Sequence, residues 1–199
     1  MIDKSIPYYP LIMCKCDTKD YPKYELPEGY EFVFYKDGDV EKWSEVQTAV
    51  GSFESGEIGT QVFLRDFVNG QVLNAEERVI FVKAPNGDYI ATAALWDGDN
   101  FGDRKQRPHW IAVRDEHAGK GIAKAMLTFL MDLYNKLGYE NDFVYLTTGT
   151  RNYPAIKLYE KFGFVIYDDT WSLFPELDDD VFYERNQTAI KLVNKMLNR

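Results

Sequence analysis

No run of about 18 apolar residues occurs in the chain, which removes a transmembrane helix from consideration; no membrane partner is expected. The first ten residues lack a basic start followed by an apolar stretch, so a secretory signal is not expected and a cytoplasmic location is. Cysteine is scarce. Cys14 and Cys16 are separated by one residue, a spacing that puts both on one face of a strand but gives poor geometry for a mutual disulfide. With His109 and His117 the only histidines, no metal is expected, and the thiols are expected to be free and buried or half-buried. Basic charge is also in short supply: 23 Lys and Arg face 32 Asp and Glu, for a net charge of −9. No basic stripe offsets this, so a nucleic-acid partner is not expected. An acidic surface favours a cationic substrate such as an amine, although solubility alone also accounts for it. Internal repeats and low-complexity tracts are absent.

What the chain does have is enough apolar material for a well-filled core, 45% hydrophobic and 16% aromatic over 199 residues. That length suits a single domain, 1–199. An N-terminal extension, 1–29, contains a short apolar strand at Pro10–Cys16. Tyr30–Lys36 alternates β formers and reads as a strand. Asp37-Gly38-Asp39 then offers a turn and an N-cap for a helix over Val40–Val50, and a second helix is expected over Gly59–Val68 after the polar segment Gly51–Gly56. Arg78–Ala84 and Tyr89–Trp96 flank Pro85-Asn86-Gly87-Asp88, a hairpin signal because Asn-Gly takes positive φ readily. Asp97–Arg107 reads as a polar loop and His109–Val113 as the next strand.

From Gly121 onward, Ile122, Met126, Phe129, Leu130, Leu133 and Leu137 mark one face of a long helix stopped by Gly138. Asp142–Thr147 is a strand, Tyr153–Phe162 a helix, and Gly163–Tyr167 a strand. An acidic loop (Pro175–Asp180), a strand at Val181–Glu184 and an amphipathic helix at Thr188–Leu197 close the chain. The reading is an α/β domain with antiparallel strands first and a crossover later, its core at 30–185 and its C-terminal helix at 186–199. That last helix packs on its own sheet or on the second subunit of a homodimer.

The chemistry concentrates where the strand ending at Val113 passes through a short loop into Gly119-Lys120-Gly121 and the long helix. Two glycines remove the side chains that would hold a ligand off the backbone, and they permit positive φ. Successive N–H groups then point into one concavity at the positive end of a helix, a seat for phosphate or pyrophosphate. A plain glycine turn joining strand to helix is the alternative. The Walker A loop does not fit, since Lys120 precedes Gly121 and Ile122-Ala123 follow it. The dinucleotide fingerprint fails as well, because Lys124 stands at its third small-residue site and no N-terminal βαβ unit exists.

Ile111-Ala112-Val113, then four residues, then Ala118-Gly119-Lys120-Gly121-Ile122-Ala123 resembles motif A of the GNAT (GCN5-related N-acetyltransferase) superfamily. About 30 residues on, Asn152-Tyr153-Pro154-Ala155-Ile156-Lys157-Leu158-Tyr159-Glu160-Lys161-Phe162-Gly163-Phe164 resembles its motif B. The resemblance implies a mixed, mostly antiparallel sheet flanked by helices with splayed parallel central strands, His109–Val113 and Asp142–Thr147. It implies acetyl-CoA as co-substrate and transfer to the amine of a small molecule or a peptide N-terminus by direct attack. Pantetheine would pair with the backbone of Ile111, Ala112 and Val113, and its pyrophosphate would sit on Ala118 through Ala123. Tyr159 matches the general acid, Asn152 caps its helix or bonds the cofactor's amides, and His109 is the candidate base. Glu54 and Glu57 lie where the family often binds its amine substrate. The chain departs from the pattern at Ala118, where Arg or Gln is usual. Lys120, Lys124, His117 and Arg114 are the candidates to supply the missing charge. That departure also leaves open an acyl-CoA-binding sensor or scaffold without turnover.

Overall fold

The computed structural model describes residues 5–69, 74–174 and 176–199. In chain order the elements are β1 (Pro10–Lys15), β2 (Glu31–Phe34), α1 (Val40–Ala49), α2 (Gly56–Phe63), a π-helical segment (Leu64–Val68), α3 (Ala75–Arg78), β3 (Val79–Lys83), β4 (Tyr89–Phe101), β5 (Asp103–Val113), α4 (Ile122–Lys136), β6 (Val144–Gly149), α5 (Tyr153–Lys161), β7 (Val165–Ile166) and α6 (Asp179–Met196). They make an α/β fold of antiparallel sheets flanked by helices. The chain gathers into two compact units. The first takes the N-terminal stretch through Pro22, Gly98–Lys105 and Gly138–Arg199; the second takes Lys23–Asp97 and Gln106–Leu137.

In the first unit β1 is the middle strand of a three-stranded sheet, order β6-β1-β7. It runs antiparallel to both neighbours, with Pro10 opposite Gly149, Lys15 opposite Val144 and Met13 opposite Ile166. Leu11, Ile12 and Met13 are all buried, so both faces of the strand are covered. Cys14 is half-buried as expected, and burial pushes its thiol up to about 12, with Cys16 adding a smaller rise. Cys16 is exposed instead, because the strand ends one residue before it.

Two expectations fail in this unit. Val181–Glu184 is not a strand but part of α6, which starts at Asp179 and packs against β1. Val-Phe-Tyr favours a strand locally. The buried residues Phe182, Asn186, Ala189 and Val193, however, recur at helical spacing, and Asp179 and Asp180 favour the positive end of the helix. Asn186 also donates to the Tyr167 carbonyl at 2.8 Å. Pro175, the first residue of the expected acidic loop, lies outside the described residues. Asp97–Arg107 is likewise not a loop. It continues β4 and β5 into a hairpin that turns at Gly102, φ 83°, where the Gly102 N–H meets the Asp99 carbonyl at 2.9 Å. Its polar tip is tied down: Phe101 packs edge-on against Phe143, Tyr145 and Tyr167, Asn100 donates to the Leu173 carbonyl, and Lys105 pairs with Asp142 at 2.7 Å.

In the second unit the sheet order is β2-β3-β4-β5. β2 and β3 are antiparallel, with Glu31 opposite Lys83 and Phe34 opposite Ile80, and β3 pairs with β4 through a bulge at Val82/Lys83. The β3–β4 turn takes the expected form, with Gly87 at φ 88°. Asp39 stands at the N-cap of α1 but makes no side-chain cap bond; its carboxylate accepts from the Lys36 N–H and from Lys42. Trp43 of α1 is fully buried among Tyr35, Phe63, Phe67 and Phe81. The second helix begins earlier than expected, at Gly56, where Ser55 caps the Ile58 N–H. Its continuation, Leu64–Val68, is wound as a π-helix, with the Asn69 N–H reaching back to the Leu64 carbonyl at 2.8 Å.

α1 and α2 meet at Gly59. A Cβ there would lie 2.4 Å from Ser44 Oγ, 3.1 Å from Ser44 Cβ and 3.2 Å from Phe53 Cδ2, while Ser44 Oγ already donates to the Gly56 carbonyl at 2.5 Å. Gly59→Ala is therefore expected to destabilise the protein by about 1–2 kcal/mol in urea unfolding, overpacking outweighing the gain in helix propensity. Adding Ser44→Ala should recover part of that loss; no shift of the midpoint in the single variant would contradict the packing described.

Candidate active site

In the second unit, β5 lies at the end of its sheet, so among the described residues only β4 neighbours it. The main-chain groups along its other side, at Ile111, Ala112 and Val113, lie along a sheet edge able to accept an added strand. Just before them the strand carries a local irregularity. Trp110 has φ 53°, a left-handed conformation rare for a bulky residue. Its carbonyl accepts from Gln47 Nε2 of α1 at 2.8 Å, and Gln47 Oε1 in turn accepts from Ser52 Oγ at 2.8 Å. The indole ring packs edge-on against Trp43 at 5.4 Å, with Phe53 at 5.5 Å and His109 at 4.6 Å. The indole N–H groups of Trp43, Trp96 and Trp110 are buried and meet no acceptor among the described residues. Gln47 and this aromatic bed carry no motif. In the sequence Gln47 stands out only by its helical spacing with Trp43, Val46 and Val50, which points to packing.

His109 lies against the Trp96 ring at 5.1 Å, and the Arg107 guanidinium covers the same ring at 4.7 Å. Burial first, and the Arg107 charge second, hold the imidazole well below its usual pKa, so His109 is neutral at pH 7. Glu54 and Glu57 are both exposed, on either side of Ser55, and neither forms an ion pair among the described residues. Glu57 sits in the first turn of α2, where the helix dipole favours a carboxylate.

The turn after β5 has the conformation its glycines allow. Asp115–His117 forms one turn of 3-10 helix, then Gly119 takes φ 76° and Gly121 φ 85° as the N-cap of α4. No atom lies within 4 Å of where a Cβ would stand on either glycine. The N–H groups of His117 and Ala118 close the 3-10 turn onto the carbonyls of Arg114 and Asp115, and the helical bonds begin with Lys124 and Ala125 onto Gly121. Among the described residues, the N–H groups of Gly119, Lys120, Gly121, Ile122 and Ala123 meet no acceptor. That run is an anion seat at the positive end of a helix. Ala118 is exposed and its N–H is already used, so neither its side chain nor its backbone donor serves the seat. At the rim Lys120 Nζ reaches Tyr30 Oη at 3.3 Å, and Lys124 Nζ lies 5.2 Å from the centre of the Tyr24 ring. Beside the seat, Tyr24, Tyr30, Phe32, Ala125, Thr128 and Phe129 line part of an open groove of about 320 Å³.

In the first unit, Tyr159 of α5 is buried and packs edge-on against Phe164 at 6.2 Å. Burial raises its phenol to about 12, so it holds its proton across the physiological range. Asn152 occupies the N-cap position of α5, but its side chain makes no cap bond, so of the two roles read from the sequence the capping one is absent.

The residues proposed from sequence thus fall into two groups. His109, Ile111–Val113, the Ala118–Ala123 turn, Glu54 and Glu57 belong to the second unit; Tyr159 and Asn152 belong to the first. Residues 41–164 match the acetyltransferase (GNAT) family. Over 54 residues, 27% of this chain, the sequence is 39% identical to N-acetyltransferase family 8 member 2 of Rattus norvegicus, and it spans 23% of that protein's length. In fold it resembles a GCN5-related N-acetyltransferase of Sphaerobacter thermophilus, with a TM-score of 0.62, 19% identity and coverage of 79% of this chain and 48% of the other. A GNAT acetyltransferase of Colwellia psychrerythraea superposes with a TM-score of 0.58, 16% identity and coverage of 81% and 54%. The chain therefore spans about half the length of these structures. The matched region includes both motifs and every residue of the anion seat, and this chain belongs to the GNAT acetyltransferase family.

Proposed function

We propose that this chain transfers an acetyl group from acetyl-CoA to the primary amine of a small molecule or a peptide N-terminus, by direct attack. The observation that carries the reading is the run of N–H groups from Gly119 to Ala123 without acceptors, opening onto space that a Cβ on either glycine would enter. Those donors fit a pyrophosphate, and the free edge of β5 fits the amides of pantetheine. Bound there, acetyl-CoA supplies an activated acyl carbon and a sulfur leaving group.

The chain's own groups then have separable tasks. Ile111 and Val113 align the acyl donor along β5. Glu54 and Glu57, exposed and without ion pairs among the described residues, attract the ammonium form of the acceptor. His109, kept neutral, takes a proton as nitrogen bonds to the acyl carbon. Tyr159 donates to the sulfur as its bond to carbon breaks. A phenol near 12 is a weaker acid than a thiol of about 8.5, so Tyr159 stabilises the departing sulfur chiefly as a hydrogen-bond donor, and proton transfer to the thiolate is completed only as solvent restores the phenol's proton. One proton is released overall: an ammonium acceptor first gives a proton to solvent to become the attacking amine, the second passes to His109 as the amide forms, and exchange through solvent restores to Tyr159 the one it gives to sulfur.

Free thiol released from acetyl-CoA in the presence of an amine panel tests the reaction. Tyr159→Phe is expected to lower kcat by about a hundredfold, with acetyl-CoA affinity within about twofold of the parent protein. Unchanged turnover would remove Tyr159 from the acid role. Stabilisation by CoA with no thiol release from any amine would instead identify a binder. CoA at 100 times its Kd is expected to stabilise the fold by about 2.7 kcal/mol.

The sign of the His109 shift makes a second prediction. A base must be neutral, and a lowered pKa means that His109 protonates only well below pH 6.5. The acid limb of kcat/KM due to His109 therefore lies below pH 6.5, and His109→Gln should abolish it. A limb with its midpoint above 6.5 that survives this substitution belongs to another group, such as the acceptor amine.

A further inference from the structure

The rim of the anion seat carries a contact that neither the motif nor the proposed chemistry uses. Tyr30, just before β2, places its Oη 2.9 Å from His117 Nδ1 and 3.3 Å from Lys120 Nζ. Its ring meets the His117 ring edge-on at 5.7 Å, and the Lys120 ammonium stands 5.9 Å from its centre. The approach to Tyr30 is fixed: its N–H bonds the Pro27 carbonyl at 3.1 Å, and Gly29, at φ 81°, lets the chain pass Pro85, whose Cγ would lie 2.9 Å from a Cβ.

Donor accounting orders this cluster. An ammonium only donates, so the Tyr30 oxygen accepts from Lys120. The phenol proton is then free to go to His117 Nδ1, and we assign that direction, which puts the imidazole's proton on Nε2. Among the described residues no carboxylate pairs with Lys120. In a chain of net charge −9, a lysine held by a neutral phenol keeps its charge for an incoming anion.

Building on the phosphate-binding reading above, we propose that Tyr30 is a positioning residue of the anion seat. Its hydroxyl, braced by His117, holds Lys120 at the rim, where the ammonium supplies the contact that Ala118 cannot. Free of that tether, Lys120 would spread over many rotamers, and ordering it would weaken binding.

Calorimetric titration of coenzyme A into the whole chain tests this with Tyr30→Phe, Lys120→Met and the double variant. Each single change is expected to weaken binding about five- to tenfold, and the double variant should bind no more weakly than Lys120→Met alone. Nitrogen-15 spectra of the free protein should show His117 protonated on Nε2, and Tyr30→Phe should abolish that preference. Should Tyr30→Phe fail to fold, His117→Ala removes the brace and is expected to lose affinity severalfold. Affinity equal to the parent's in the variant that folds, or losses that multiply in the double variant, would overturn the role of Tyr30. If the parent protein binds neither coenzyme A nor pyrophosphate, the phosphate-binding reading itself falls, and this inference with it.

Discussion

The left-handed backbone at Trp110 is the constraint on which the second unit's candidate site is built. A bulky residue in that region costs about 1–3 kcal/mol, so the surroundings must hold it there. They do so from two directions. Gln47 of α1 takes the carbonyl, and Trp43, Phe53 and His109 pack around the ring. The same contacts fix α1 against β5, and Ser44 and Gly59 then fix α2 against α1. The segment with Glu54 and Glu57, the free edge at Ile111–Val113 and the imidazole of His109 therefore take their places from one strained residue. Loosening it would disturb all three together.

Net charge is a poor guide to the local field here. The chain is strongly acidic, yet the groups that gather at the start of α4 are backbone donors, Lys120 and Lys124. Helix geometry aligns those donors, and aromatic rings rather than carboxylates neighbour the two ammonium groups. A site for an anion can thus stand on an acidic protein without a basic face, because the relevant field is set within a few ångströms.

Legibility from sequence followed the range of the interaction responsible. The Asn86-Gly87 turn, the glycines at 119 and 121, and the stop at Gly138 were readable because a single backbone conformation decides each. The α4 face was readable in part: Ile122, Met126, Leu130 and Leu133 are buried, but Leu127, Met131 and Tyr134 bury the opposite side too, and Phe129 is half-buried. The hairpin tip at 97–107 was misread because its polar residues find partners only in distant segments, Asp142 and Leu173 among them. The strand expected at Val181–Glu184 was misread because its side chains favour β locally, and only the spacing across all of α6 reveals the helix. In the site, the donors of the turn were foreseen. Tyr30 and Gln47 were not, since a phenol 90 residues from its lysine and an amide 63 residues from its carbonyl leave no trace in local pattern.

The position of β1 bears on how the chain reaches this state. Tyr9 and Thr150, which bond each other at one end of the β1–β6 ladder, are 141 residues apart. During synthesis the buried segment Leu11-Ile12-Met13 emerges before β6 and β7 and waits for them, while every residue of the second unit is made in between. Closing so long a loop is entropically slow. The second unit's local hairpin and helices are free to form during that wait, while the apolar residues of β1 stay uncovered until their partners arrive.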